Sequence, residues 1–94
     1  MVRTVFLNGK YINENDAKLS IFDRGFLFGD SVYEVTAVIQ QKLVSWEGHT
    51  RRLRRSLGEI GMNLDMSDDD LLTVHRKLIA LNEVREGLVY LQIS

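Results

Sequence analysis

Two stretches of this 94-residue chain carry side chains able to do chemistry. The first, Ser20 to Asp30, sets Asp23, Arg24, Gly25, Gly29 and Asp30 among the apolar residues Ile21, Phe22, Phe26, Leu27 and Phe28. It feeds directly into Val32-Tyr33-Glu34-Val35, and a loop rich in turn formers tied to a rigid strand is where proteins often carry functional groups. Tyr33 offers a phenol that can give one hydrogen bond to a carboxylate beside an apolar ring wall, and it equally suits a half-buried place in a sheet. Val35 shares Tyr33's face of the strand; Glu34 faces the other way, where an ion pair is its expected fate. The second stretch is His49-Thr50-Arg51-Arg52-Leu53-Arg54-Arg55. A guanidinium grips phosphate oxygens bidentately, which lysine cannot do. The same arginine run also makes a solvated helix face.

Other chemistries are excluded or unsupported. The chain has no cysteine, which removes disulfide scaffolds, thiol nucleophiles and cysteine-ligated metals together. His49 and His75 are far apart and lack companion ligands, so no metal is expected and each histidine reads as a packed or capping side chain. Lys10, Lys18, Lys42 and Lys77 all sit in polar turns, loops or helix faces with no desolvation to lower a pKa, so none is expected to form a Schiff base. The net charge of -1 points to neither a nucleic acid nor a membrane surface as partner. No apolar run approaches the roughly 18 residues of a membrane span, and the start MVRTVFLNGK is too short in apolar residues for a signal peptide. A cytoplasmic domain is expected, with 45% hydrophobic and 27% charged residues to supply core and solubility.

The elements that position these residues follow from turn signals and periodicity. Asn8-Gly9 between Arg3–Leu7 and Lys10–Ile12 predicts a hairpin. A loop over the Ser20–Asp30 stretch precedes a strand from Val32 to Ile39, and a turn at Gln40-Gln41 leads to a partner strand at Lys42–Ser45. Trp46 to Ile60 reads as a helix, with His49, Leu53, Leu57 and Ile60 at helical spacing and Gly61 at the C-cap. Ser67, with Asp70 three positions on, caps a second helix that runs to about Asn82 and is expected to bury Leu71, Val74, Leu78 and Leu81. Leu88 to Ser94 reads as a final strand. The order predicts an α+β domain, a mostly antiparallel sheet under two helices. A chain this short makes one domain, and its close on a strong strand with no following loop predicts a piece cut from a longer protein.

The blocks NGK, DRGFLFGD, VYEV, WEGHTRRL and VYLQIS, in that order, resemble the small N-terminal domain of the class IV (fold-type IV) pyridoxal-phosphate aminotransferases, most closely the D-amino-acid transaminases. Ser31 stands where many relatives have glycine. The resemblance implies that residues 1–94 form that N-terminal domain and that the C-terminal domain, with the Schiff-base lysine, is absent. No catalytic residue is then expected here. The H-x-x-R-L pattern of the family falls on His49 to Leu53, which makes Arg52 the residue for the cofactor's phosphate, with Arg51, Arg54 and Arg55 left at the surface. Tyr33 is implied to face the substrate and help hold its carboxylate, and Val35 to line the same pocket. Asp23, Arg24, Gly25, Gly29 and Asp30 are expected to shape the loop. The resemblance further implies pyridoxal 5'-phosphate as cofactor, an amino acid (D-alanine or another D-amino acid favoured) and a 2-oxo acid as substrates, and a homodimer. Branched-chain aminotransferase and aminodeoxychorismate lyase are alternatives of the same fold, and a non-catalytic dimerisation or interaction module is an alternative of another class. The 94-residue chain alone is expected to be inactive.

Overall fold

The computed structural model describes residues 2–94. Asn8 and Gly9 take φ of 49° and 88°, the paired positive angles that match a two-residue turn to the twist of its strands. They fold β1 (Thr4–Leu7) onto β2 (Lys10–Asn13). Gln40 and Gln41 do the same with φ of 52° and 66°, joining β3 (Val32–Ile39) to β4 (Lys42–Leu43). The expected partner strand stops at Leu43 instead of Ser45, because Ser45 takes a left-handed φ of 57° that swings the chain into the next helix. β5 (Gly87–Ile93) pairs antiparallel with β3 along its length, from Val38 opposite Gly87 to Val32 opposite Ile93.

The expected α+β arrangement is present, with two antiparallel sheets: the β1-β2 hairpin and a three-stranded sheet in the order β4-β3-β5. Its 19 Å shortest dimension, against 35 and 31 Å, is that of two layers. The stretch expected as loop contains a short helix, α1 (Arg24–Phe28). The Asp23 side chain caps it by accepting from the Gly25 N–H at 2.9 Å, and Gly29 closes it at a φ of 69°.

The long helices are α2 (Trp46–Glu59) and α3 (Asp68–Leu81). After α2, Gly61 turns left-handed while the Met62 and Gly61 N–H groups reach the Leu57 and Gly58 carbonyls, the paired closure known as a Schellman motif. Ser67 Oγ accepts from the Asp70 N–H at 3.0 Å, the expected N-cap of α3. The inward faces differ in detail from those expected. In α2, Thr50, Leu53 and Leu57 are buried and Ile60 is exposed. In α3, the row Leu71, His75 and Ile79, spaced four apart, is buried, whereas Leu81 is exposed. From that row Leu71 joins the core of Val32, Leu53 and Leu57, with Trp46, Met62, Leu64, Met66, Leu91 and Ile93 packed around it.

Two side chains hold the hairpin to α3: Lys77 Nζ lies 4.4 Å from the centre of the Tyr11 ring of β2, and Asn82, at the end of the helix, makes the second link. Asn82 accepts from the Thr4 N–H and donates to the Thr4 carbonyl, both at 2.8 Å, so its amide pairs with β1 as a neighbouring strand would.

Candidate functional site

Strand alternation decides which side chains of β3 can meet a ligand. Val32, Glu34, Thr36 and Val38 point under the helices and are buried. Tyr33, Val35, Ala37 and Ile39 point to the other face, where Tyr33 and Ile39 are exposed and Val35 and Ala37 half-buried. A carboxylate under the helices is costly unless it is paired and hydrogen-bonded. Glu34, 6% exposed, is both. Arg52 reaches it from α2 with two parallel bonds, Nε to Oε2 and Nη2 to Oε1, each 2.8 Å. His49, one turn earlier on α2, brings Nδ1 to Oε1 at 2.6 Å. An ionised carboxylate only accepts, so Nδ1 is the ring nitrogen that carries the hydrogen.

Arg52, through its hydrogen bonds first, holds the Glu34 carboxyl below its usual range against the opposing effect of burial. In turn Glu34 raises Arg52, with a smaller contribution in the same direction from the Tyr33 phenol. Arg52 engages Glu34 through the side edge of its guanidinium, Nε and Nη2. Its side chain is still 56% exposed, and among the described residues Nη1 has no protein acceptor, so the end edge faces outward with donors to spare.

Beneath this group lies a polar layer. The Thr50 hydroxyl donates to the Glu47 carbonyl at 3.0 Å. His75 approaches the Leu71 carbonyl with Nδ1 at 2.7 Å and sits edge-on to Trp46, 4.6 Å between ring centres. Burial pushes the His75 pKa down, so the ring is neutral and Nδ1 donates. The void among Glu34, Thr36, His49, Thr50 and His75 measures about 10 Å³, about one water and no more. Ligand chemistry must therefore occur outside this layer.

The opposite face of the sheet offers such a place. Tyr33, 63% exposed, lies nearly parallel to Tyr90 of β5, with ring centres 5.8 Å apart and planes 13° apart. Val35 is half-buried beside them and sits directly across from Tyr90. The Tyr90 hydroxyl donates to Gln92 at 2.8 Å, while the Tyr33 hydroxyl has no protein partner among the described residues. Tyr33 and Val35 thus share one surface, as their spacing predicts, and Arg52 stands on the other side of the strand with Glu34 and His49. Tyr90 was not singled out by sequence, although its register opposite Val35 follows once β5 is paired with β3.

The loop residues have structural partners. Besides the cap made by Asp23, Arg24 pairs with Asp30 at 2.7 Å. The Ser94 hydroxyl donates to Asp23 Oδ1 at 3.1 Å. A Cβ on Gly25 would stand 2.7 Å from Ser94 Cβ, so only glycine fits between loop and strand end. One surface assignment needs correction: Arg54 binds the Leu64 carbonyl at 3.2 Å, the Met66 carbonyl, and Asp68 at 3.0 Å. It ties α2 to the connection before α3. Arg51 and Arg55 are exposed, Arg55 lying 4.0 Å from Glu59 one turn on.

No protein-family model matches the sequence. The chain is similar over 90 residues, 96% of its length, to D-alanine aminotransferases: 40% identical to that of Staphylococcus aureus (strain MSSA476), 41% to that of Staphylococcus epidermidis (strain ATCC 12228 / FDA PCI 1200) and 36% to that of Bacillus licheniformis. It spans 32% of the length of each. Its fold matches that of a branched-chain aminotransferase from the archaeon Thermoproteus uzoniensis, crystallised with norvaline, with a TM-score of 0.84 and 21% identity. That match covers 98% of this chain and 32% of the other, in the N-terminal region of a fold-type IV aminotransferase.

Proposed function

We infer that this chain, which is related over nearly its whole length to D-alanine aminotransferases and has the fold of the N-terminal region of fold-type IV aminotransferases, is the N-terminal domain of a pyridoxal-phosphate-dependent transaminase. A second domain beyond Ser94 supplies the lysine that holds the cofactor. The observation that carries this reading is the outward end edge of Arg52, a planar pair of donors already charged and oriented by Glu34. Such an edge suits a phosphate group. The residues present therefore fit the cofactor: Arg52 holds its phosphate, and Tyr33 and Val35 stand where a substrate's carboxylate and side chain would meet the exposed face of β3.

When bound, pyridoxal phosphate supplies the electron sink that lets an amino group pass from an amino acid to a 2-oxo acid. This chain's residues bind and orient. Tyr33 donates one hydrogen bond to the substrate carboxylate and presents its ring as an apolar wall, with Val35 limiting the space beside it. The D-alanine aminotransferase relatives and the Val32-Tyr33-Glu34 block favour a D-amino acid as donor over a branched-chain donor or a lyase reaction. We further assign the whole protein to the cytoplasm as a homodimer.

The exposed side chains of Phe22, Phe26, Phe28, Leu88 and Tyr90 favour a second role for this domain as an interaction surface, since large exposed apolar areas mark contact sites. In the transaminase reading the C-terminal domain or the second subunit covers them.

The test is the visible absorption of bound cofactor, read beside intact mass, after pyridoxal phosphate is added to the full-length protein and to the 94-residue chain. A band in the first and none in the second is expected. Absence of a band in the full-length protein overturns the transaminase reading.

A further inference from the structure

We propose that Glu34 is a positioning residue for cofactor binding: by holding the side edge of Arg52 it fixes the guanidinium plane and aims the end edge at the cofactor's phosphate. The inference rests on the transaminase reading above. A carboxylate is an unexpected residue on a strand face otherwise made of Val32, Thr36 and Val38. Stability alone does not account for it, because replacing a buried ion pair by apolar side chains is often neutral or favourable to folding. What the charge does achieve is orientation. A free arginine on an exposed helix face samples many rotamers, and the ordering cost falls due when a ligand binds.

Here three contacts define the geometry. Glu34 takes Nε and Nη2 of Arg52 at 2.8 Å each, which sets the plane of the guanidinium. His49 donates to Glu34 at 2.6 Å and holds the carboxylate itself in plane. The carboxylate is rigid because it is buried, and the guanidinium it orients is 56% exposed. A fixed inner partner and an accessible outer edge are the two features that a preorganised anion contact requires.

The experiment compares the dissociation constants of pyridoxal phosphate and of pyridoxal, which lacks the phosphate, in the full-length protein and its Glu34→Gln variant. Glutamine keeps the shape but has one acceptor and no charge for the guanidinium. Glu34→Gln is expected to weaken pyridoxal phosphate about tenfold, the order of one lost charge-assisted contact, and to leave pyridoxal unchanged. Adding it to Arg52→Ala is expected to cause no further loss, because its effect passes through Arg52. Equal weakening of both ligands, or further loss on top of Arg52→Ala, would show a merely structural role and overturn the proposal, as would an unchanged affinity for pyridoxal phosphate. If Glu34→Gln does not fold, His49→Gln gives the same contrast on a smaller scale, and no selective loss of pyridoxal phosphate there overturns it equally. A wild-type protein that binds neither compound would instead refute the transaminase reading.

Discussion

Tyr33 and Glu34 are neighbours in sequence that end on opposite sides of one sheet, the phenol 63% exposed and the carboxylate 6%. One strand therefore presents an exposed phenol to one side of the sheet and an arginine-holding carboxylate to the other. Because side chains alternate along a strand, a slip of one residue between β3 and β5 would exchange the two faces, and the seven-pair register from Val32–Ile93 to Val38–Gly87 guards against it.

Removing the guanidinium should separate cofactor binding from folding. Arg52→Ala in the full-length protein is expected to weaken pyridoxal phosphate by about 1.5–3 kcal/mol, the worth of hydrogen bonds to a charged group. Equilibrium titration measures it, and unchanged affinity would remove Arg52 from the site.

The Tyr33 hydroxyl is expected to act on substrate and not on cofactor. Tyr33→Phe keeps the ring against Tyr90 and deletes one donor, so KM for the amino acid should rise by the equivalent of about 0.5–1.5 kcal/mol while cofactor affinity holds. Steady-state kinetics with a D-amino acid decides the matter. An unaltered KM would leave Tyr33 as a packing residue.

The two shifted groups of the polar layer give stability the same pH dependence. His75 titrates below its ordinary 6.5 in the folded chain, so the unfolded chain takes up the proton first, and stability falls as pH drops below 6.5 until the folded ring also protonates. Glu34 titrates below its ordinary 4.5, so its pairing contributes fully above that value and is lost as pH falls through the folded pKa. The half-buried Glu14 is held low by the exposed Arg3, and this surface pair adds little after solvent screening. Urea midpoints should be highest above pH 6.5 and decline in two stages. A midpoint that stays level on passing below 6.5 would contradict the account of His75.

Leu53 is 2% exposed at the centre of the core. Leu53→Ala is expected to cost about 2–5 kcal/mol. Thermal unfolding of the domain would show it as a drop of tens of degrees or outright failure to fold, and a shift of only a few degrees would mean that the layer between α2 and β3 can collapse around the gap.

Most of the framework could be read from local chemistry. Asn8-Gly9 announced the first turn, the alternation in Val32–Ile39 gave a strand with the observed bounds, and Ser67 marked the start of α3. Most of the misses have one physical cause, contact between residues well separated in sequence. The helix at Arg24–Phe28 is held partly by the junction of Asp23 and Gly25 with Ser94, 71 residues beyond Asp23. Arg54 looked like surface because its carbonyl partners lie on a connection whose path only packing decides. In α3, apolar spacing favoured Leu78 and Leu81, yet the helix turns His75 inward, where a bond to Leu71 and the edge of Trp46 satisfy it. For Glu34, alternation gave the direction and the expectation of an ion pair. The identity of the partner depended on where α2 crosses the sheet.

The clamp of Asn82 on Thr4 carries a consequence in time. The turn at Asn8-Gly9 closes locally, a step of microseconds, but the anchor for β1 lies 78 residues downstream. On a growing chain, β1 is made 78 residues before this anchor and waits for it until the end of α3 has left the ribosome. Pulse-labelling hydrogen exchange during refolding would register this as late protection of the Thr4 amide relative to those of α2 and α3, with Asn82→Ala removing that late protection and leaving the early phase intact.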